Sequence, residues 1–405
     1  MIKHLLVVII SVVSMSLSAQ HPIVYVGFVS HNEPLDNLQA LSNFDSMQTK
    51  VLQLAQIMDA NGAKWNLQTC DGFARGALQF QGVNSNIFKT ITSGQYADNI
   101  EIDPRPKVQD TVHYNIADTY HYLDSLGCHP THTLGGFVYF TNNASMAPID
   151  WFKYQDTITG KMFHNQKWKA ELMWGAGSNP PHAHDYNDYG IWKPDTVSYA
   201  QSDQYFGQHN PNRNVWFIGN GCQPLQGFDP SENEQTIISE LKNFIDSVQN
   251  NHLPQDKFYV YSITINQSGF GSQLFGKINT ICDSINSWGT NKVQWAKLSE
   301  KFNAFQQWQS NPDIESQWKC GSAWNGLQSI EESTVSIYPN PANSLLSFEA
   351  DDSKQHQISI IDMYGKMISE MSWFNQHQLD ISSYTNGMYI IQLDNKFSSK
   401  LTIFH

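Results

Sequence analysis

Ile23-Val24-Tyr25-Val26-Gly27-Phe28-Val29, followed at once by Ser30-His31-Asn32-Glu33-Pro34, is the stretch from which the fold can be read. The first seven residues carry no charge and do not alternate in polarity. Such a run suits a strand covered on both faces, the usual condition in a parallel sheet. The polar cluster behind it, closed by Pro34, ends the strand. It also sends His31 and Glu33, two residues apart, to the same side of an extended segment. A helix is expected next, because Met47, Val51, Leu54 and Met58 recur at helical spacing and Asn61-Gly62 supplies a stop.

The alternation continues along the chain. Lys64 to Gln68, Asn99 to Pro104, Thr133 to Phe140, Glu171 to Trp174, Asn214 to Ile218 and Phe258 to Ile265 read as six further strands. Between them, a helix is expected from Asn115 to Gly127. Another, striped by Ile237, Leu241, Ile245 and Val248, follows a capping box of Ser231 and Glu234. A third carries Ile278, Ile281 and Ile285, and a last amphipathic helix, Val293 to Trp308, is expected on the outside. Seven strand–helix units in succession imply an α/β fold with a parallel sheet, most simply a (β/α)7 barrel. A doubly wound open sheet is the alternative, since spacing does not carry strand order. No internal repeat is visible.

Both ends of the chain read differently. Met1-Ile2-Lys3-His4 is a basic head, Leu5 to Val13 an apolar core, and Leu17-Ser18-Ala19 a small-residue cleavage point before Gln20; residues 1–19 are therefore expected to be a signal peptide. No stretch reaches the roughly 18 apolar residues a membrane helix needs. Residues 20–324 have the length of one large domain, and 325–334, polar and without periodicity, read as a linker. From 335 to 405, short alternating runs separated by turn residues read as a small all-β sandwich. The net charge of −13 and the lack of a Lys/Arg cluster argue against a nucleic-acid partner. The five cysteines (Cys70, Cys128, Cys222, Cys282, Cys320) have no zinc-type spacing, and they allow at most two disulfides.

The terminal segment carries a more specific signal. Val335-Ser336-Ile337-Tyr338-Pro339-Asn340-Pro341-Ala342-Asn343, then Ile361-Asp362-Met363-Tyr364-Gly365-Lys366, then Gly387-Met388-Tyr389-Ile390-Ile391 stand in order over about seventy residues. They resemble the C-terminal sorting domain of the type IX secretion system of Bacteroidetes. The resemblance implies export to the cell surface or beyond, and the secretion machinery as a partner.

Parallel barrels hold their working residues at the carboxyl ends of the strands. That rule selects His31 and Glu33; Glu101, Asp103 and Arg105; Trp174 and the Gly/Pro/His-rich loop after it; Asn220; and Asn266. His31 with His182, His184 and Asp185 makes a possible divalent-metal set, zinc or similar, because imidazole and carboxylate are its ordinary ligands. The loop histidines could equally serve only as hydrogen-bonding residues. Glu33, Glu101 and Asp103 are the candidate catalytic carboxylates, with a structural ion pair to Arg105 as the alternative. Trp174 and Trp192 could floor a sugar subsite beside Arg105 and Asn220.

The order of these features resembles the polysaccharide deacetylase and family-57-type glycoside hydrolase superfamily of (β/α)7 barrels, over roughly Pro22 to Gly269. The resemblance implies a hydrolase acting on polysaccharide. His31-Asn32-Glu33-Pro34 stands where those proteins place a metal or catalytic cluster. Arg105 and Lys107 stand where deacetylases carry a histidine pair, and two cations there would repel a divalent ion. A surface glycan-binding protein with a degenerate barrel site is the other reading.

Overall fold

The computed structural model describes residues 21–32, 36–106, 108, 110–136, 154–175, 188–195, 208–219, 227–318, 335–350, 355–362, 366–374, 376–393 and 397–405. Up to Trp308 the elements are β1 (Val24–His31), α1 (Leu41–Asn61), β2 (Trp65–Thr69), α2 (Asp71–Phe80), α3 (Ile87–Ile91), β3 (Ile100–Pro104), α4 (Ile116–Ser125), β4 (Thr133–Gly135), β5 (Ile158–Thr159), β6 (Lys167–Trp168), β7 (Leu172–Trp174), β8 (Ile191–Trp192), β9 (Trp216–Ile218), α5 (Glu234–Gln249), β10 (Tyr259–Ile265), α6 (Ser272–Asn286), β11 (Val293–Trp295) and α7 (Leu298–Trp308).

The expected strands form, the fourth of them, expected from Thr133 to Phe140, over Thr133–Gly135 only, with residues 137–140 outside the described residues. They run parallel, in the order β10-β1-β2-β3 in one sheet and β4-β7-β9 in another, with β8 antiparallel on the edge of β9. The first sheet curves as half a barrel. Its last strand hands over to β4 where the Thr131 amide donates to the Ile102 carbonyl at 3.0 Å. Among the described residues no ladder joins β9 to β10, and the described strands fall into two parallel sheets. Val29, Leu172, Trp174, Ile218, Val260, Leu298 and Phe305 share one buried apolar cluster between the sheets.

Local sequence explains most of the helices. The stripe on α1 buries Val51, Leu54 and Met58, and Gly62 closes the helix at φ 62°, a left-handed turn that glycine adopts without a Cβ penalty. Asn115 caps α4 in a capping box with Asp118. Two expectations are corrected here. The side chain capping α5 is Asn233, which accepts from the Gln235 amide, while Ser231 is bonded to Asp229 two residues earlier. The segment from Val293 to Trp308 is a short strand and then a helix. That helix lies inward, with Leu298 and Phe305 fully buried, because its apolar residues fill the gap between the two sheets.

Residues 335–405 build β12 (Val335–Tyr338), β13 (Leu345–Ala350), β14 (Gln355–Asp362), β15 (Met367–Phe374), β16 (Gln376–Asp380), β17 (Gly387–Leu393) and β18 (Phe397–Ile403). Antiparallel sheets β12-β13-β16 and β15-β14-β17-β18 enclose Leu346, Phe348, Ile358, Ile360, Trp373 and Ile391. This is the expected all-β sandwich. Among the described cysteines, Cys70, Cys128 and Cys282 are buried and unpaired, which lowers the ceiling on disulfides from two to one. Cys222 and Cys320 lie outside the described residues.

Candidate functional site

Sheet register fixes which side chains meet. Val29 pairs with Asn66 and Asn66 with Glu101; two residues on, His31 pairs with Gln68 and Gln68 with Asp103. Side chains two apart share a face, so Asn66 and Glu101 form one row and His31, Gln68 and Asp103 a second, about 7 Å nearer the carboxyl ends. Arg105 continues the same face, its amide bonded to the Thr69 carbonyl at 2.9 Å. On the next strand Gly135 and Gly136 leave room for this cluster. A Cβ on Gly135 would stand 2.5 Å from the Gln68 side chain. A Cβ on Gly136, at φ 61°, would stand 2.9 Å from Arg105 Nε and 3.5 Å from His31 Nδ1.

The two carboxylates have different surroundings. Glu101 accepts from Asn66 Nδ2 at 2.7 Å, from the Ser299 amide at 3.2 Å and from the Ser299 hydroxyl. It therefore holds the first turn of α7, where a helix presents unpaired N–H groups and favours negative charge. The Leu298 amide, in that same turn, donates to Asn66 Oδ1 at 2.9 Å. Asp103 accepts from the second proton of Asn66 Nδ2 at 2.9 Å and from Thr131 Oγ1 at 2.6 Å. Burial pushes the Asp103 carboxyl well above the usual carboxylate range, and the nearby charge of Glu101 pushes it further. Burial also raises Glu101, against the hydrogen bonds from Ser299 and Asn66, which favour its ionised form.

Below them, Lys301 is fully buried; its Nζ donates to the Tyr261 carbonyl at 2.8 Å and to Ser262 Oγ at 3.0 Å. Burial brings that amine down to about 7, against the opposing pull of Glu101. Above, Arg105 is buried and donates to the Asn32 carbonyl. Thr69 Oγ1 donates to Asn32 Oδ1 at 2.6 Å, the Gln68 carboxamide faces Asp103 and favours its ionised form, and Asn32 Nδ2 and Gln68 Oε1 are buried without a well-formed hydrogen bond. Buried donors and acceptors left unused at the carboxyl end of a parallel sheet are what a polar ligand would satisfy.

His31, Asp103 and Arg105 thus come together, joined by Asn32 and Gln68. Glu101 sits one row deeper, tied to α7. Trp174 and Trp192 are both fully buried in apolar packing, Trp192 against Phe217 at 4.8 Å, so neither offers an open ring face to a sugar. They pack inward because β7 and β8 are each covered on both sides. Glu33, Lys107, His182, His184, Asp185 and Asn220 lie outside the described residues. Among the described residues no three His, Cys, Asp or Glu side chains are placed to hold a metal ion. Sequence reasoning missed Asn66, Gln68, Thr131 and Lys301. Asn66 and Gln68 could have been found, because two amides alternating within a short apolar strand require partners.

Residues 336–403 match the secretion system C-terminal sorting domain family. That match marks the protein as one exported by the type IX secretion system to the cell surface or outside, with the secretion machinery as a partner. No described helix is long and apolar enough to cross a membrane. No curated protein matches the chain. Among solved structures, it is similar to a probable polysaccharide deacetylase from Pseudomonas aeruginosa PAO1, at 11% identity over 72% of this chain and 93% of that one, TM-score 0.43. It is also similar to a GH57 branching enzyme from Thermococcus kodakaraensis, at 8% identity over 75% of this chain and 77% of that one, TM-score 0.39.

Proposed function

We propose that this is an exported carbohydrate-active hydrolase, of deacetylase or glycosidase type, whose seven parallel strands form a (β/α)7 frame and whose substrate is a polysaccharide outside the cell. The observation that carries the reading is the row His31, Gln68 and Asp103, capped by Arg105, at the carboxyl ends of three adjacent strands. Asp103 keeps its proton above the pH at which an exposed carboxyl loses it, which suits a general acid toward a leaving oxygen. Gln68, Asn32 and Arg105 would orient sugar hydroxyls, and Glu33, two residues beyond His31 in sequence, would supply the base or nucleophile. Glu101 acts here as a positioning residue, through Asn66 and α7.

A metal enters this proposal in reduced form. His182, His184 and Asp185 would join His31 around a divalent ion, but Arg105 shares the neighbourhood of Gly136 with His31, and a guanidinium there opposes a second cation. The donors described do not fit a metal, and no step is routed through one. Non-catalytic glycan binding is the second reading, favoured by the complete burial of Asp103.

The test is release of acetate and of reducing ends from acetylated and plain polysaccharides by the mature protein and by Asp103→Asn. The variant keeps its partners if the new amide donates to Thr131 Oγ1 and its oxygen accepts from Asn66, so it should fold normally. Loss of an acid should lower turnover by roughly 10²–10⁴-fold. Unchanged release by the variant would remove Asp103 from the chemistry. No release from any substrate, with binding intact, would establish the second reading.

A further inference from the structure

At the other end of the first sheet, before β1 and β10, lies a cleft of about 440 Å³ that the proposed chemistry does not use. The volume falls within the range of about 300–1,000 Å³ usual for small-ligand sites. Its floor is aromatic. Phe258, 5% exposed, stacks on Tyr25 with ring centres 4.9 Å apart and planes inclined by 19°, and meets Trp308 at 6.1 Å. Phe305 braces Phe258 from beneath at 5.7 Å. Tyr25 and Trp308, both half-buried, line the cleft as rigidly held rings.

Polar groups surround that floor. Lys257 is bonded to Glu315 at 3.1 Å, which leaves the ammonium two further protons to donate. The Gln255 carboxamide is engaged within the protein, its Nε2 donating to the Val248 and Leu253 carbonyls at 3.0 and 2.8 Å and its Oε1 meeting His21 Nδ1 at 3.0 Å, so it braces the wall of the cleft. Gln307, exposed on the last turn of α7, adds a carboxamide at the rim.

From this arrangement we infer that the cleft is a glycan-binding subsite separate from the strand-end cluster, and that it takes a pyranose ring of a neutral polysaccharide. The ring's C–H face fits an aromatic floor, and its hydroxyl edge fits the Lys257 ammonium and the Gln307 carboxamide. A chain of net charge −13 disfavours a polyanion. Tyr25 and His31 are six residues apart on one strand, so the subsite would hold a polymer roughly 20 Å from the strand-end cluster. The inference rests on the carbohydrate reading above but does not require turnover.

The experiment is affinity electrophoresis of the full mature protein through gels containing soluble starch, xylan or hydroxyethyl cellulose. The variants are Trp308→Ala, Lys257→Ala/Gln307→Ala and Asp103→Asn, each checked for an unchanged thermal transition. At least one polysaccharide should retard the wild type. The surface double variant, which leaves the aromatic floor intact, should weaken retardation about tenfold, the loss of some 1.4 kcal/mol. Trp308→Ala should weaken it at least as much, and Asp103→Asn should weaken it less than either cleft alteration. No retardation on any gel would overturn the inference, as would retardation indifferent to both cleft alterations. Retardation lost only in Asp103→Asn would assign binding to the strand-end cluster and overturn it too. Retention by an Asp103→Asn protein that has lost turnover separates this subsite from the proposed chemistry.

Discussion

Replacing Lys301 with methionine should flatten one component of the protein's pH dependence. The amine is wholly buried, with its ordinary value of 10.5 brought down to about 7 by desolvation. Between those limits the unfolded chain binds a proton that the folded chain does not. Stability therefore rises with pH across the window, and the contribution is lost as pH falls from 10.5 toward 7. The slope cannot exceed about 1.4 kcal/mol per pH unit, and the whole window amounts to roughly 4–5 kcal/mol. Lys301→Met removes the titrating group at similar volume. It also removes the bonds to the Tyr261 carbonyl and Ser262 Oγ, a cost of about 1–3 kcal/mol that does not vary with pH. Urea unfolding of both proteins at each pH from 7 to 10 isolates the effect, since other groups cancel in the difference. Wild type minus variant should climb with pH by several kcal/mol. A difference that stays flat would refute the placement of α7 inside the sheets and the burial argument with it.

Glu101→Ala should destabilise the fold by about 1–3 kcal/mol in urea unfolding, because Asn66 and Ser299 lose a buried acceptor. Glu101→Gln should cost much less, and if it instead abolished turnover without loss of stability, Glu101 would be a chemical group and not a support. The thiols of Cys70, Cys128 and Cys282 should be unreactive toward an aromatic disulfide reagent in the native protein, and at least three should titrate in denaturant. Burial both shields them and pushes Cys70 and Cys282 up to about 12. Deleting residues 335–405 should leave a soluble protein with its thermal transition intact but retained in the periplasm; finding it in the medium would contradict the sorting role.

Part of the frame was legible because β1 is covered on both faces and reads as an unbroken apolar run from Val24 to Val29. The stripe Met47, Val51, Leu54 and Met58 was equally plain. Closure of the ring was not legible, because hydrogen bonding between strands far apart in sequence leaves no periodic trace. The inward turn of α7 escaped for a related reason: an amphipathic pattern tells how wide the apolar face is but not which layer it meets. At the site, strand ends selected His31, Asp103 and Arg105 correctly as neighbours. The same rule placed Glu101 at the rim, although register sets it one row lower, where Ser299 and Asn66 occupy both its oxygens. Trp174 and Trp192 looked like sugar platforms because exposure cannot be read from a residue's type. Tyr25 and Trp308, which line an open cleft, drew no notice, since one lies inside an apolar strand and the other at the end of a helix.

The most direct test of the central claim, that a glycan is bound where His31, Gln68, Asp103 and Arg105 meet, is a crystal structure of Asp103→Asn soaked with an oligosaccharide of whichever polysaccharide the wild type cleaves or is retarded by. A sugar ring is expected within hydrogen-bond distance of Gln68 and Arg105 at the carboxyl ends of β1, β2 and β3. A second sugar in the Tyr25–Trp308 cleft is expected as well; density there alone, with Gln68 and Arg105 untouched, would contradict it.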